Sequence, residues 1–155
     1  MISVVIPLFN KQDSIRSTIE SVLAQSFRDF ELIVVDDGST DGSVDVVKAI
    51  NDPRIRLIEK QNGGVSSARN EGIRNASYEY VAFLDGDDLW DSDYLREIVH
   101  LIEVFPEAGI LGTSYFITEN KQKRIATKPL DDSFFGIVSS VWNTNNWVIT
   151  NNLIC

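Results

Sequence analysis

At 155 residues the chain reads as a single domain, long enough to bury roughly two-thirds of its unfolded surface without a covalent staple. One Cys and one His exclude an internal disulfide and a zinc site, and suit a reducing compartment. A formal charge of -9 argues against a nucleic-acid groove or a basic membrane-binding face, so a chain this acidic needs a cation if it is to handle phosphates.

Met1-Ile2-Ser3 leads directly into a strand with no basic signal region, and the longest apolar runs are only a few residues. A soluble, cytoplasmic protein without a spanning helix is expected. Ser3 to Asn10 is a β-branched strand in which Pro7, unable to donate to a ladder, is expected to mark the end. Pro7 to Gln12 then forms a first crevice loop. Asp13 or Ser14 can cap the next helix, whose face carries Ile15, Ile19, Val22 and Leu23 and which should end near Ser26. Phe30 to Val35 is a second apolar strand that runs into Asp36-Asp37-Gly38-Ser39-Thr40-Asp41-Gly42, residues suited to a loop and a cap. Val44, Val47 and Ile50 continue as a helix stripe closed by Pro53. Ile55, Leu57 and Ile58 make a third strand, and Gln61-Asn62-Gly63-Gly64 a loop that needs φ > 0. A further helix face follows at Val65, Ala68, Gly72, Ile73 and Ala76. Alternation of strand and helix with short loops predicts a parallel, right-handed sheet covered on both faces.

The fourth strand organises the rest. Tyr80 to Leu84 is apolar on both alternating faces, as a doubly covered parallel strand must be, and it runs straight into Asp85-Gly86-Asp87-Asp88. Carboxylates at a strand's carboxyl end emerge in the crevice where open α/β sheets bind ligands. Two such charges about 4 Å apart repel by ~1 kcal/mol in water and by ~4 at an effective dielectric near 20, so a cation belongs among them. Oxygen ligands suggest a hard ion, Mg²⁺ or Mn²⁺. Gly86 is expected to let the backbone turn so that Asp85 and Asp87 face one ligand. An acidic turn followed by capping residues is the plainer alternative.

Ser92 is placed to cap a helix bearing Tyr94, Leu95, Ile98, Leu101, Ile102 and Phe105 and stopped by Pro106, with His100 on its surface. Ile110 to Thr118 reads as a longer strand, Glu119 to Arg124 as a charged hairpin tip and Ile125 to Lys128 as a return strand. Lys121, Lys123 and Arg124 suit a solvated tip. From Pro129 the pattern fades, with Phe134, Phe135, Ile137, Val138, Val141 and Trp142 apolar, Asn143 to Asn146 a loop, and Trp147 to Ile154 another strand. A chain that stops on Leu-Ile-Cys reads as cut. Trp142 and Trp147 could pack on further structure, or on another copy as a homodimer.

Four segments together resemble the amino-terminal part of a family 2 inverting glycosyltransferase with the GT-A fold. They are Val-Ile-Pro-Leu-Phe-Asn at 5–10, Val-Val-Asp-Asp-Gly-Ser-Thr-Asp at 34–41, Ala-Arg-Asn-Glu-Gly at 68–72 and Phe-Leu-Asp-Gly-Asp-Asp at 83–88. Each is weak alone; in this order and spacing they are specific, over about residues 1–118. The resemblance implies a Rossmann-like three-layer α/β/α domain. Its sheet would be mostly parallel with a mixed carboxyl-terminal portion, residues 1–105 forming the nucleotide-binding half and 106–155 the start of the acceptor side. It implies that Pro7, Phe9 and Asn10 line the nucleotide base, with Phe9 stacking where Tyr is more usual. It also implies that Asp37 accepts the uracil N–H, favouring UDP, while Asp36 holds its loop. Arg69 either approaches the nucleotide or braces the acidic loops, and Asn70 and Gly72 serve packing and turns. Asp85 and Asp87 become the Asp-x-Asp pair, the first on the ribose and the second on Mn²⁺ or Mg²⁺, with Asp88 in support.

The activity so implied is transfer of a sugar, with inversion, from a nucleotide-sugar to a glycan or lipid-linked acceptor. Surface polysaccharide or glycolipid synthesis at the cytoplasmic face of a membrane is the expected setting. Inversion also needs a general base. Asp131 and Asp132 are the only acids beyond the hairpin and lack the family's context, so the base is expected outside these residues. A response-regulator receiver or a haloacid-dehalogenase-type phosphatase would need its acids after the first strand, where this chain has Pro7-Leu8-Phe9-Asn10. A non-catalytic nucleotide-sugar-binding or assembly module stays open as the alternative.

Overall fold

A computed structural model of the chain describes residues 1–113, 116–119, 122–125 and 147–150. Strands and helices alternate as β1 (Ile2–Leu8), α1 (Ile15–Leu23), β2 (Phe30–Asp36), α2 (Ser43–Lys48), β3 (Ile55–Glu59), α3 (Val65–Asn75), β4 (Tyr80–Phe83) and α4 (Tyr94–Val104). Three short strands follow, β5 (Ile110–Gly112), β6 (Phe116–Glu119) and β7 (Gln122–Ile125), and then β8 (Trp147–Thr150). The main sheet runs β3-β2-β1-β4-β8-β5, and every pairing in it is parallel. Antiparallel pairing among the described residues is confined to the separate β6–β7 hairpin, so the expected mixing falls outside the main sheet.

The period of two along each strand divides the core into two layers. Val4, Ile6 and Leu8 of β1, Leu32 and Val34 of β2, and Ala82 of β4 face Ile15, Ile19 and Val22 of α1 and Leu95 and Ile98 of α4. Val5, Ile33, Val35, Val81 and Phe83 face the other way, onto Ala68 of α3. Helix α3 lies close against β1 because it presents Gly72 there, and a Cβ at that position would overlap Val5 Cγ1. The expected double coverage and the packing role of Gly72 are both present.

Several local expectations are corrected. β1 runs through Pro7, which pairs in register with Val35. Val5 O accepts from Leu84 N–H and Leu8 O from Asp37 N–H, so by alternation Pro7 faces the β4 side. The β1–β4 ladder ends at Val5↔Phe83, and so the missing N–H of Pro7 costs no ladder bond. Helix α1 ends at Leu23, earlier than Ser26, and α4 has Asp93 rather than Ser92 at its cap position. The single strand expected from 110 to 118 is two, and the return strand is β7, three residues earlier than expected. The expected strand after the last loop is present as Trp147–Thr150. The apolar run 134–142, the loop 143–146, Asp131, Asp132, Lys121 and residues 126–128 and 151–154 lie outside the described residues.

Register brings the carboxyl ends of the central strands together: Leu8 stands beside Asp36, and Asp36 beside Glu59. The loops after β1, β2, β3 and β4 therefore open on the same edge of the sheet.

Candidate functional site

The loop after β1 is stitched to the loop after β2 by consecutive backbone donors. Asn10 N–H donates to Ser39 Oγ at 3.0 Å, Lys11 N–H to Ser43 Oγ at 2.8 Å and Gln12 N–H to Asp41 Oδ2 at 3.1 Å. In return, Thr40 N–H donates to Asn10 Oδ1 and Gly42 N–H to Gln12 Oε1, each at 2.8 Å. Asn10 has a φ of 51°, a left-handed conformation that Asn adopts more readily than most residues. Its side chain is turned to the second loop, so it joins the loops rather than lining the cleft between them. The α1 cap position holds this frame to the fourth strand: the Ser14 hydroxyl donates to Gly86 O at 2.9 Å instead of capping its own helix.

Two carboxylate clusters face each other across this frame. At the carboxyl end of β2, Asp36 and Asp37 are both buried. Asp36 accepts from Ser39 N–H, which holds the loop as expected. Asp37 accepts from Lys60 Nζ at 2.5 Å, Gly63 N–H at 3.0 Å and Gly64 N–H at 2.7 Å. Burial pushes the Asp37 carboxyl up, but Lys60 and the two glycine N–H groups outweigh it and hold it below the usual carboxylate range. Gly64 makes this possible with a φ of 85°, the positive value expected of that loop.

After β4, Asp85 accepts from Arg69 Nη2 and Asp87 from Lys11 Nζ, both at 2.6 Å. These side chains are a third to a half exposed. The hydrogen bond and charge of Asp87 raise Lys11, with Asp85 and Asp88 adding to the effect and burial opposing it. Partial burial, then the charges of Asp85 and Asp87, push the Asp88 carboxyl up. Arg69 braces the acidic loop, one of its two expected roles, and its guanidinium also lies 5.8 Å from the centre of the Phe83 ring. Its buried Nε has no acceptor among the described residues. Gly86 does not need a glycine's freedom: its φ is not positive, and an added Cβ would meet Pro7 O at 3.4 Å, an ordinary contact.

Between the clusters lies a cleft of about 420 Å³ lined by Pro7, Phe9, Lys11, Asp37, Asp85 and Asp87, with Gly64 and Val65 of the α3 entry. Phe9 is 45% exposed at this edge rather than part of the core. Of the residues expected to form the site, Pro7, Phe9, Asp37, Asp85 and Asp87 thus share one cavity. Asn10 and Arg69 support its walls. Among the described residues no group of three His, Cys, Asp or Glu side chains is arranged to hold a metal ion by itself. The half-exposed oxygens of Asp87 and its neighbours fit a hard cation of the kind bound by one or two carboxylates together with substrate phosphates.

Sequence reasoning missed the two lysines. Lys11 follows β1 and Lys60 follows β3, both at carboxyl ends of strands, so the rule that singled out the carboxylates would have found them too. It also missed the acceptors Ser39 and Asp41, which read as loop and cap residues, and Ser43, the first residue of α2.

Comparison with known proteins bears on the family and the fold. A UDP-Glc:alpha-D-GlcNAc-diphosphoundecaprenol beta-1,3-glucosyltransferase of Escherichia coli, WfaP, is 36% identical over 104 residues, covering 66% of this chain and 41% of its own. S. aureus TarS (residues 1-349) in complex with UDP-GlcNAc superposes with a TM-score of 0.68 at 28% identity, over 78% of this chain and 36% of that one. A mannosyltransferase of Pyrobaculum calidifontis in complex with GDP-Man and Mn²⁺ gives 0.67 at 28% identity, over 74% and 35%. The chain spans less than half the length of the curated relatives it matches. No helix among the described residues is long and apolar enough to cross a membrane. The family described as Glycosyl transferase family 2 matches residues 3–152, almost the whole length, and the chain belongs to that family.

Proposed function

We propose that the chain is the donor-binding half of a glycosyltransferase that uses a UDP-sugar and a divalent cation. One observation carries the reading: a single cleft gathers an exposed aromatic ring, Phe9, a buried and ionised carboxylate, Asp37, and the open pair Asp85 and Asp87. A carboxylate offers about four acceptor positions and protein donors use three of those on Asp37, so one is left for the N–H of a uracil stacked on Phe9. Guanine presents its N–H groups in a different arrangement, which favours UDP although a relative of the same fold was crystallised with GDP-Man. Asp85, braced by Arg69, meets the ribose. Asp87 would hold Mn²⁺ or Mg²⁺. That ion would neutralise charge developing on the departing diphosphate.

Transfer proceeds with inversion, a general base taking the proton of the attacking acceptor hydroxyl. Because WfaP is named for a lipid-diphosphate-linked acceptor, a lipid-linked glycan at the cytoplasmic membrane face is the acceptor class proposed here. The test is calorimetric titration of UDP with and without Mn²⁺, using GDP as competitor, on the wild type and Asp87→Asn. Mn²⁺-dependent UDP binding that GDP displaces poorly and Asp87→Asn loses is the expected result. Metal-independent binding, or none to a folded sample, would overturn the reading.

A further inference from the structure

We propose that Lys11 is the resident counter-ion of Asp87, and that a divalent cation enters the cleft by displacing its ammonium group. This rests on the assignment of Asp87 to the metal. Lys11 Nζ lies 2.6 Å from Asp87 Oδ2. A compact, strongly hydrated point charge there covers the oxygen that a hard cation would take.

The surroundings are built for exchange. The Lys11 backbone is fixed by its N–H bond to Ser43 Oγ at 2.8 Å, whereas its side chain is 40% exposed. The ammonium can therefore swing out without moving the loop. Lys60 makes the contrast: only 20% exposed, it is held by Asp37 at 2.5 Å and by Gln61 O at 2.6 Å, and it has no such exit.

Charge points the same way. Asp85, Asp87 and Asp88 are opposed by Lys11 and Arg69, which leaves one negative charge in excess. Adding a divalent cation while Lys11 stays would make the cluster positive; exchanging the two brings it to neutrality. The displaced ammonium remains tethered at the cleft wall, where it can meet the phosphates that arrive with the metal.

The experiment is titration of Mn²⁺ alone into the full chain, with free Mn²⁺ followed by electron paramagnetic resonance. Because an exposed ion pair competes only weakly, Lys11→Gln should bind Mn²⁺ about two- to fivefold tighter than wild type. Lys11→Arg, which keeps the charge, should stay near wild type. Lys48→Gln controls for net charge, since Lys48 pairs with Glu59 at 2.7 Å and does not line the cleft, and it should change nothing. Equal affinity in wild type and Lys11→Gln, or an equal gain in Lys48→Gln, would overturn the proposal. Asp87→Asn separates the two levels: if it leaves Mn²⁺ binding intact, the metal assignment itself has failed.

Discussion

The two acidic loops look alike in sequence, each a buried strand ending in paired aspartates with a glycine beside them, yet they are opposite in construction. The Asp36-Asp37 loop is closed, its carboxylates buried and its donors supplied by backbone and by the pinned Lys60. The Asp85-Gly86-Asp87-Asp88 loop is open, with more exposed cations against it and Asp88 pushed up by partial burial and then by the charges of Asp85 and Asp87. Low dielectric strengthens the first arrangement and solvent weakens the second. The first can recognise a ligand without reorganising, and the second can exchange one cation for another.

The sharpest way to break this contrast is to truncate one aspartate in each loop. Asp37→Ala leaves the mostly buried Lys60 ammonium without its counter-charge, with Gln61 O as its remaining acceptor, and the Gly63 and Gly64 N–H groups without theirs, and should cost ~2–4 kcal/mol of stability. Asp87→Ala removes an exposed pair and should cost ~0–1 kcal/mol while abolishing Mn²⁺-dependent UDP binding. Urea denaturation of both variants measures the first quantity and calorimetry the second. Similar stability losses would mean that the loops are not different in kind.

Acid sharpens the comparison. The Asp37 pKa is depressed in the folded state, so its stabilisation is fully present above the unfolded value near ~3.9 and is lost as pH falls through the folded value. Wild type should therefore lose stability on acidification below about pH 4 more steeply than Asp37→Asn. Some slope should remain in that variant, because Arg54 likewise lowers Asp52. Asp88 has the opposite sign: its raised pKa makes the charged form unfavourable in the fold, a cost relieved as pH falls through the folded value. Asp88→Asn should accordingly raise the urea midpoint slightly at neutral pH without metal. Parallel acid limbs for wild type and Asp37→Asn would show that Asp37 is not the stabilised carboxylate.

Much of this was legible because it depends on local pattern. Apolar runs at Val4 to Ile6, Leu32 to Val35 and Val81 to Leu84 announce buried parallel strands, and the acids that follow the second and third announce a crevice. What could not be read was pairing at long range. Lys11 meets Asp87 across 76 positions, and nothing in either residue's neighbourhood encodes that distance. The stitching of Asn10, Lys11 and Gln12 to Ser39, Asp41 and Ser43 emerges only once β1 and β2 stand in register. Pro7 was misread for the same reason, since its effect on the ladder depends on where the neighbouring strand stops.

The glycines give the smallest test of the comparison. Gly38 in the closed loop has a φ of 77°, and a Cβ there would lie 2.9 Å from Asn62 N. Gly38→Ala therefore meets both a left-handed backbone and a rigid neighbour, and should cost ~1–3 kcal/mol. Gly86 in the open loop has neither problem: its φ is ordinary, and the added methyl would touch Pro7 O at 3.4 Å and Lys11 Cγ at 3.5 Å. Gly86→Ala should stay within ~0.5 kcal/mol of wild type in urea. A loss as large as that of Gly38→Ala would mean that the open loop, too, needs a glycine's backbone, and that its carboxylates are held more tightly than their exposed ion pairs imply.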